Sequence, residues 1–433
     1  MYALATGCTL LISGAVSDAV GSRTVFLLGC FLQSIFCMAC GLAQNGLQLI
    51  LFRIVSGLAT SLCLPSAMSI ISENFPAGKL RNLAFACMGG GQPVGFGVGI
   101  LLGGIFADTV GWRWGFHSAA IANTLAVLLS WWFLPRRAES RVSWHMLVFG
   151  IDWIGAVLAS AALGLLSYAL SIITGDVGAV RQPTTIVFFA LSGALILAFI
   201  LWQGLQERRA KPTLIRNSLW KNMAFSSVCI NVFLIWGAFN AFEQVINFVF
   251  QDVQGLSVIG TSLRFIPTPI TGLISSLITG IVLHRVRADA IINVTTLVSS
   301  VSPLLMALID PQWTYWRGAF IAVCLNSVAA DSLFTVSNIL IAGVFPDETQ
   351  GLAAGVFNTV SQVGKSVGLA LVALISNAIT ENQTQLRDKG SPEGLMIGYR
   401  AAFWTLFGMN VASLLVGAMG LRKVGNIGKK KIL

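Results

Sequence analysis

The stretch Gly14-Ala-Val-Ser-Asp18-Ala-Val-Gly21-Ser-Arg23 decides the fold, because it is a short polar break between two long apolar segments. Each flanking segment is long enough to cross a hydrocarbon layer about 30 Å thick, which requires roughly 20 residues of helix. Gly14 and Gly21 allow the backbone to turn and approach closely, and Asp18 can accept hydrogen bonds from the free N–H groups that open the next helix. Arg23 is close enough in sequence to pair with Asp18. The stretch therefore predicts a tight helical hairpin at a membrane surface.

Composition indicates a membrane protein. The 433 residues are 55% hydrophobic and 10% charged, with a mean hydropathy of +0.80, and a soluble protein of this size could not cover its surface with so few polar residues. Apolar runs recur along the whole sequence. We therefore predict an all-α polytopic protein that crosses the lipid bilayer about 13 times and has no separate soluble domain.

The net charge of +10 would suggest a nucleic-acid partner in a soluble protein, but the placement of the cations excludes that partner here. If the hairpin turn is cytoplasmic, about 18 Lys and Arg residues fall on its side of the membrane and about six on the other. An excess of Lys and Arg in the cytoplasmic loops is typical of membrane proteins. The distribution of positive charge therefore indicates which ends of the helices face the cytoplasm.

Several kinds of site are not expected. The eight cysteines lie in apolar segments, where thiols behave as small hydrophobic groups, so no disulfide framework is predicted. The sequence has no Walker loop, no nucleophilic triad and no cluster of metal ligands. We expect no cofactor, no metal and no enzymatic activity.

The order of apolar segments divides the chain into four parts. We predict a five-helix bundle in residues 1–134, two extra helices with basic linkers in 135–221, a six-helix bundle in 222–421 and a basic tail in 422–433.

An internal repeat relates the two bundles. Phe75-Pro76 followed by Leu83 recurs as Phe345-Pro346 followed by Leu352, roughly 270 residues later, as in transporters built from parallel repeats. The same offset gives the helix that opens the second bundle no counterpart in the first. We therefore expect either a lost first helix or an incomplete reading of the gene, and fourteen spans in a complete version.

Four charges fall inside predicted helices, where they are costly and need a partner or a function. Arg53 lies about two turns inside its helix and either faces protein or extends towards the outer surface. Asp331 and Lys365 lie near the middle of the bilayer. If they touch, they form a neutral pair, and if alternating access separates them, Asp331 becomes a proton carrier. Glu243 is a further candidate nearer the outer end of its helix.

Glycines recur every four residues along one helix, which leaves a bare stripe where another helix can pack closely. A second interpretation is a role in antiport. The stripe consists of Gly91, Gly95, Gly99 and Gly103, with Gly104 beside the last.

These motifs resemble those of the major facilitator superfamily of secondary transporters. The spacing from Gly14 to Arg23 resembles its signature loop, although Ala19 and Thr24 replace basic residues that the family usually has. The run Gly95-Phe-Gly-Val-Gly-Ile-Leu-Leu-Gly-Gly104 resembles its fifth-helix antiporter motif, with Ile100 in place of the proline. Arg53-Ile-Val-Ser-Gly resembles an element linked with proton coupling.

Asp152-Trp-Ile-Gly and Gln350-Gly-Leu-Ala look like segments of the fourteen-span drug:proton antiporters, especially the fungal branch related to aminotriazole-resistance proteins. The resemblance implies multidrug efflux of small amphipathic or toxic molecules, driven by protons, with substrate bound between the halves and the Asp18 turn as a cytoplasmic latch. The alternatives are a transporter of a small polar solute or cation, such as ammonium, borate or a nutrient, and a truncated protein that transports nothing. We expect the plasma membrane, with the vacuolar membrane as the alternative.

Asn382-Gln-Thr lies in the last predicted outer loop and matches an acceptor for N-glycosylation. Its position on the outer side agrees with the charge asymmetry. We therefore predict a glycoprotein modified at Asn382.

Overall fold

The computed structural model describes residues 2–76, 78–135, 150–209, 211, 213–215, 217–221, 223–344, 350–382 and 391–421. All regular structure in these ranges is helical. The helices are α1 (Tyr2–Val20), α2 (Ser22–Leu42), α3 (Gly46–Asn74), α4 (Lys79–Asp108), α5 (Arg113–Phe133), α6 (Trp153–Gly175), α7 (Pro183–Arg208), α8 (Met223–Phe248), α9 (Val258–Arg264), α10 (Pro267–Val282), α11 (Ala288–Leu308), α12 (Ala319–Val344), α13 (Gln350–Asn382) and α14 (Pro392–Gly420).

In the described chain, twelve helical segments are long and apolar enough to cross a membrane, with α9 and α10 counted as one, and α1 is a shorter apolar helix. This confirms the prediction of an all-α protein with about 13 helical segments. The end of the molecule that carries Gly21 is called the inner end, and the opposite end the outer end. The proposed domain boundaries remain a prediction, and the linker residues 136–149 and the tail 422–433 lie outside the described residues.

Local sequence explains where several helices begin and where one breaks. The side chains of Asn45 and Ser257 accept hydrogen bonds from the backbone at the starts of α3 and α9. Ser391 does the same before α14, whose first residue is Pro392. The predicted single helix from 259 to 283 is interrupted just before Pro267, since the proline nitrogen has no hydrogen to donate.

A buried carboxylate fixes the two extra helices, α6 and α7, to each other. Asp152 caps α6 through the Gly155 N–H at 2.9 Å. It also accepts hydrogen bonds from Trp202 at 2.9 Å and from Gln203 at 2.7 Å, both on α7. Since the Asp152 side chain is buried, these bonds replace the hydration that it loses.

Helix α6 packs across both bundles rather than against one. The Ser160 hydroxyl donates to the backbone oxygen of Cys8 on α1 at 2.6 Å. The apolar cluster around α6 also draws on α13 of the second bundle and on the segment after α7. Its buried members are Leu11, Ala156, Ala159, Leu214, Ile215 and Val356.

The two bundles meet where α4 lies against α10, a contact called the seam below. Glycines on α4 face α10 and the preceding helix α9 at intervals of seven residues, with Ser262 on α9. A Cβ at Gly90 would stand 2.6 Å from Leu273, one at Gly97 2.7 Å from Pro269, and one at Gly104 2.8 Å from Ser262. The side chains of Leu273, Pro269 and Ser262 therefore pack directly on the glycines of the α4 backbone, where no α4 side chain intervenes.

The predicted glycine stripe faces elsewhere. Among described residues, no atom lies within 4 Å of the position that a Cβ would take at Gly91, Gly95, Gly99 or Gly103. Gly104 is on the other face of α4, in the seam. The stripe and the seam are two different surfaces of one helix.

The internal repeat gives the open stripe a counterpart. Gly364 and Gly368 lie 269 residues after Gly95 and Gly99. A Cβ at Gly364 would overlap the backbone of Phe233 on α8, and a Cβ at Gly368 would stand 2.7 Å from the carbonyl carbon of Gly237. The second bundle therefore has a helix seated on these glycines, whereas the described part of the first bundle leaves the equivalent surface open.

We expect Gly364→Leu to lower the free energy of unfolding by about 1–3 kcal/mol or more, because the larger side chain collides with the α8 backbone. Gly95→Leu at the equivalent position should lower it much less. Thermal unfolding of both variants in nanodiscs checks the difference. Equal losses would mean that the Gly95 surface is covered.

Candidate functional site

The hairpin turn is built around Gly21, the one residue between α1 and α2. Its φ of 108° suits glycine and strains other residues. Its N–H donates to the Ser17 carbonyl at 3.0 Å, and its own carbonyl accepts from the Val25 N–H at 3.2 Å. Gly14 is buried within α1, and Asp18 is half-buried in the last turn of that helix.

Two side chains tie the turn to other inner helix ends of the first bundle. The Ser22 hydroxyl donates to the Glu73 carboxylate at 3.0 Å. Arg23 does not extend back towards Asp18, as its spacing suggested. Its guanidinium donates to the backbone oxygens of Trp131 and Leu134 on and after α5, at 3.3 Å each, and lies 5.8 Å from the Trp131 ring centroid.

Arg53 faces a cavity of about 410 Å³ near the outer end of the first bundle. Its guanidinium carbon lies 5.1 Å from the Tyr2 ring centroid and 5.2 Å from that of Phe116. Gly99 of the open stripe lines the same cavity. The structure thus brings together two features that the sequence presented separately, and the cation is held by aromatic faces.

The other three intramembrane charges lie in the second bundle, on three different helices. Glu243 on α8 is close enough for its charge to interact with those of Asp331 on α12 and Lys365 on α13. Asp331 and Lys365 form no ion pair within 4 Å with each other. Asp331 and Lys365 therefore do not form the direct pair that was one alternative, and Glu243 interacts with both.

Burial makes this group of charges unusual. The Glu243 Oε1 and Asp331 Oδ2 atoms are buried and have no hydrogen-bond partner among the described residues. The Lys365 ammonium lies 4.7 Å from the ring centroid of Trp236 on α8. Sequence reasoning missed Trp236, because nothing in the sequence indicates that the tryptophan lies beside the lysine.

Polar side chains continue from this group along the contact between α10 and α12. The Thr271 and Ser327 hydroxyls are 3.0 Å apart, and the Thr279 hydroxyl donates to Ser332 at 3.0 Å. Such hydrogen bonds satisfy hydroxyls that lipid could not. They also make the interior of the second bundle polar at its centre.

A second cavity, of about 720 Å³, opens at the outer end of the second bundle. Arg264 lies there between two rings, 5.2 Å from the Phe250 centroid and 5.3 Å from that of Tyr315, and donates to Gln254 at 2.6 Å. Burial raises the pKa of Tyr315 to about 12, so its hydroxyl remains a donor to the Arg264 carbonyl, at 2.7 Å.

Asn382 is exposed at the outer end of α13, where a glycosylation acceptor would need to be. Thr384 of the same motif lies outside the described residues. Modification at Asn382 remains a prediction.

Two helical bundles that meet along a seam, with charges buried beside it, define a polytopic membrane transporter fold. The family model of the Major Facilitator Superfamily matches residues 1–144 and 145–369. The chain belongs to this superfamily, whose members are transporters and not enzymes.

Relatives with curated names agree with the family. MFS-type transporter 1 of Pyricularia oryzae is 37% identical over 475 aligned residues, which cover 99% of this chain and 77% of that protein. Efflux pump terJ of Aspergillus terreus is 23% identical, with 96% and 78% covered. The aminotriazole resistance protein of Saccharomyces cerevisiae is 27% identical, with 98% and 76% covered. The particular branch of fourteen-span drug:proton antiporters remains a prediction.

A solved structure shares the fold. The human organic anion transporter MFSD10 (TETRAN) superposes with a TM-score of 0.66 at 15% identity, covering 96% of this chain and 82% of that one. At this identity the likeness concerns the fold alone.

We expect Gly21→Ala to lower the free energy of unfolding by about 1–3 kcal/mol, because a side chain strains the backbone at φ 108°. Gly46→Ala is the matched control, since a Cβ at Gly46 would meet no atom within 4 Å and the residue has no positive φ. Thermal unfolding of the two variants in nanodiscs measures the difference. Similar melting temperatures would show that the turn relaxes without strain.

Proposed function

We propose that the protein is a secondary active transporter that exports small amphipathic or toxic molecules in exchange for protons, by alternating access of its two bundles. The observation that carries the proposal is the group formed by Glu243, Asp331 and Lys365. Three charges on three membrane helices, with Asp331 buried and Glu243 and Lys365 half-buried, are costly in a membrane, and such residues usually belong to an ion or substrate pathway. The relationship to efflux pumps supports the direction of transport.

The proposed coupling uses the mutual influence of these charges. A proton bound by either carboxylate removes one negative charge from a region of low dielectric, where charges interact strongly. Because Glu243 interacts with Asp331 and with Lys365, a proton at Glu243 changes the free energy of both other charges. Substrate and proton can then compete for one region between the bundles.

Two further parts complete the proposed transporter. The turn with Gly14, Asp18, Gly21 and Arg23 acts as an inner latch, supported by its bonds to the ends of α3 and α5. Arg53 contributes to the proton pathway of the first bundle, supported by the polar groups and the cavity around it.

A transporter of a small polar solute or cation is the second candidate. It is favoured by the charge of the buried group, since two carboxylates exceed one ammonium when all three are ionised. An inert protein is the third candidate, and the open glycine surface of the first bundle favours it. We also propose residence in the plasma membrane, with the vacuolar membrane as the alternative.

The test is uptake of ethidium, an amphipathic cation, into proteoliposomes with an acidic interior. Protons that leave through an antiporter drive ethidium inwards whichever way the protein is inserted. We expect accumulation about tenfold above that in vesicles without protein or with a protonophore, which corresponds to about 1.4 kcal/mol of driving force. Ammonium offered under the same gradient tests the second candidate.

Glu243→Gln should reduce this uptake to background, because the amide cannot carry the proton. Asp289→Asn is the matched control, since Asp289 pairs with the exposed Arg287 at 3.0 Å at the inner end of α11, and its uptake should equal that of the unaltered chain. Ethidium uptake that does not depend on the pH gradient, or that is unchanged in Glu243→Gln, would contradict the proposal.

A further inference from the structure

Asp331 lies in the seam between the bundles as well as in the second bundle. A Cβ at Gly272 on α10 would overlap Asp331 Oδ2 and would stand 2.7 Å from the Cβ of Pro93 on α4. Asp331 from α12 and Pro93 from the first bundle therefore both press on Gly272. Three helices of two bundles meet at this carboxyl group.

The same three helices meet again one turn towards the inner end. A Cβ at Gly89 on α4 would stand 2.9 Å from the Thr335 hydroxyl on α12 and 3.6 Å from the Ser276 hydroxyl on α10. These residues lie four positions from Pro93, Asp331 and Gly272 on their helices, so each pair shares one helix face. The seam thus contains a polar strip one turn long.

Two polar groups of this strip have no hydrogen-bond partner among the described residues. Asp331 is 5% exposed, and its Oδ2 has no partner among the described residues. The Ser276 hydroxyl is likewise buried without a partner in that part of the chain. The Thr335 hydroxyl donates to the Asp331 backbone oxygen at 3.1 Å and not to the Asp331 carboxyl group.

The charges that face Asp331 come from the second bundle. Glu243 on α8 interacts with it, and Lys365 on α13 interacts with Glu243. Helix α11 contributes the uncharged Ser299 hydroxyl, which accepts a hydrogen bond at 2.8 Å from the N–H of Ala329, two residues before Asp331 on α12. Helices α4 and α10 contribute Pro93 and Gly272, which carry no charge.

These surroundings favour one protonation state while the seam is closed. An ionised carboxylate that is buried without a partner is strongly disfavoured relative to its hydrated form, whereas the protonated form is not. Pro93 and Asp331 Oδ2 lie against the same backbone position, Gly272, so separation of α4 from α10 would expose the first-bundle side of this carboxyl group to water. Ionisation of Asp331 and closure of the seam therefore oppose each other.

We propose that Asp331 links proton binding to the closure of the two bundles, with Gly272 and Pro93 as the positioning residues that place its carboxyl group in the seam. The inference rests on the proposed proton-coupled function and adds the place where protonation acts on the conformation. Loss of the proton separates α4 from α10 near the bilayer centre, and its return closes them. Glu243 and Lys365, both in the second bundle, set the charge near Asp331, Glu243 directly and Lys365 through Glu243.

The experiment measures the width of the seam by pulsed electron–electron double resonance in nanodiscs. Spin labels are attached through genetically encoded azide residues, which leaves the eight native cysteines unchanged. One pair replaces Asp108 and Val258 at the outer end, and the other replaces Lys79 and Arg285 at the inner end, all four being exposed. Distances are compared at about pH 5 and about pH 8 without substrate or gradient.

We expect at least one pair to shift to longer distances at the higher pH in the unaltered chain. Asp331→Asn, which stays neutral, should keep the short distance at both pH values. Asp252→Asn is the matched acid-to-amide control and should retain the shift. A shift that persists in Asp331→Asn, or the absence of any shift in the unaltered chain, would overturn the inference.

Gly272→Ala provides an independent test, since its methyl group displaces Asp331 or Pro93. It should abolish the pH-dependent shift and alter the pH profile of ethidium uptake, whereas Gly408→Ala, in open space on α14, should change neither. A pH profile and a distance shift equal to those of the unaltered chain would contradict the positioning role.

The two proposals fail in different ways. If ethidium is not transported but the distances shift with pH in an Asp331-dependent manner, the proposed export is wrong and the role of Asp331 in the seam stands. If transport depends on Glu243 while the distances across the seam do not depend on the protonation of Asp331, the proposed export stands and the proposed linkage is wrong.

Discussion

The close contact of α4 with α10 is the constraint on which the rest of the structure depends. Gly90 and Gly97 let the α10 side chains of Leu273 and Pro269 pack directly on the α4 backbone. In a membrane, where lipid is as apolar as a leucine side chain, such contacts hold helices together through close packing rather than through exclusion of water. A residue placed in this contact is therefore sensitive to small movements of either bundle.

The buried charges gain their significance from that contact. Glu243 and Lys365 on their own would form a polar interior within one rigid bundle. Asp331 extends the same electrostatic group to the boundary between bundles, where its neighbour Pro93 belongs to the other half. A change of charge can then alter the contact between halves, which is what coupling between a proton and alternating access requires.

The first bundle is held together differently. Its inner ends are joined by Ser22 to Glu73 and by Arg23 to the end of α5, whereas its outer part surrounds Arg53 with aromatic rings and a cavity. Helix α6 bridges the two bundles on the side of α1 and α13, away from the seam. The molecule thus has one interbundle contact covered by an extra helix and another in which side chains of the second bundle pack on glycines of α4.

The sequence by itself determined the membrane class, the all-helical fold, the hairpin at Gly21 and the repeat that relates the bundles. These follow from apolar run length, glycine and charge placement, which are local properties of the chain. It also identified Asp331, Glu243 and Lys365, because a charge within an apolar run is visible without a structure.

Only the tertiary structure decided which of these residues meet. It placed Glu243 within reach of both other charges, set Trp236 beside Lys365, and turned Arg23 towards α5. It also divided the glycines of α4 into an open stripe and a seam, although all of them look alike in sequence. Which helix face meets which neighbour depends on packing between segments far apart in the chain, and spacing within one helix carries no record of that packing.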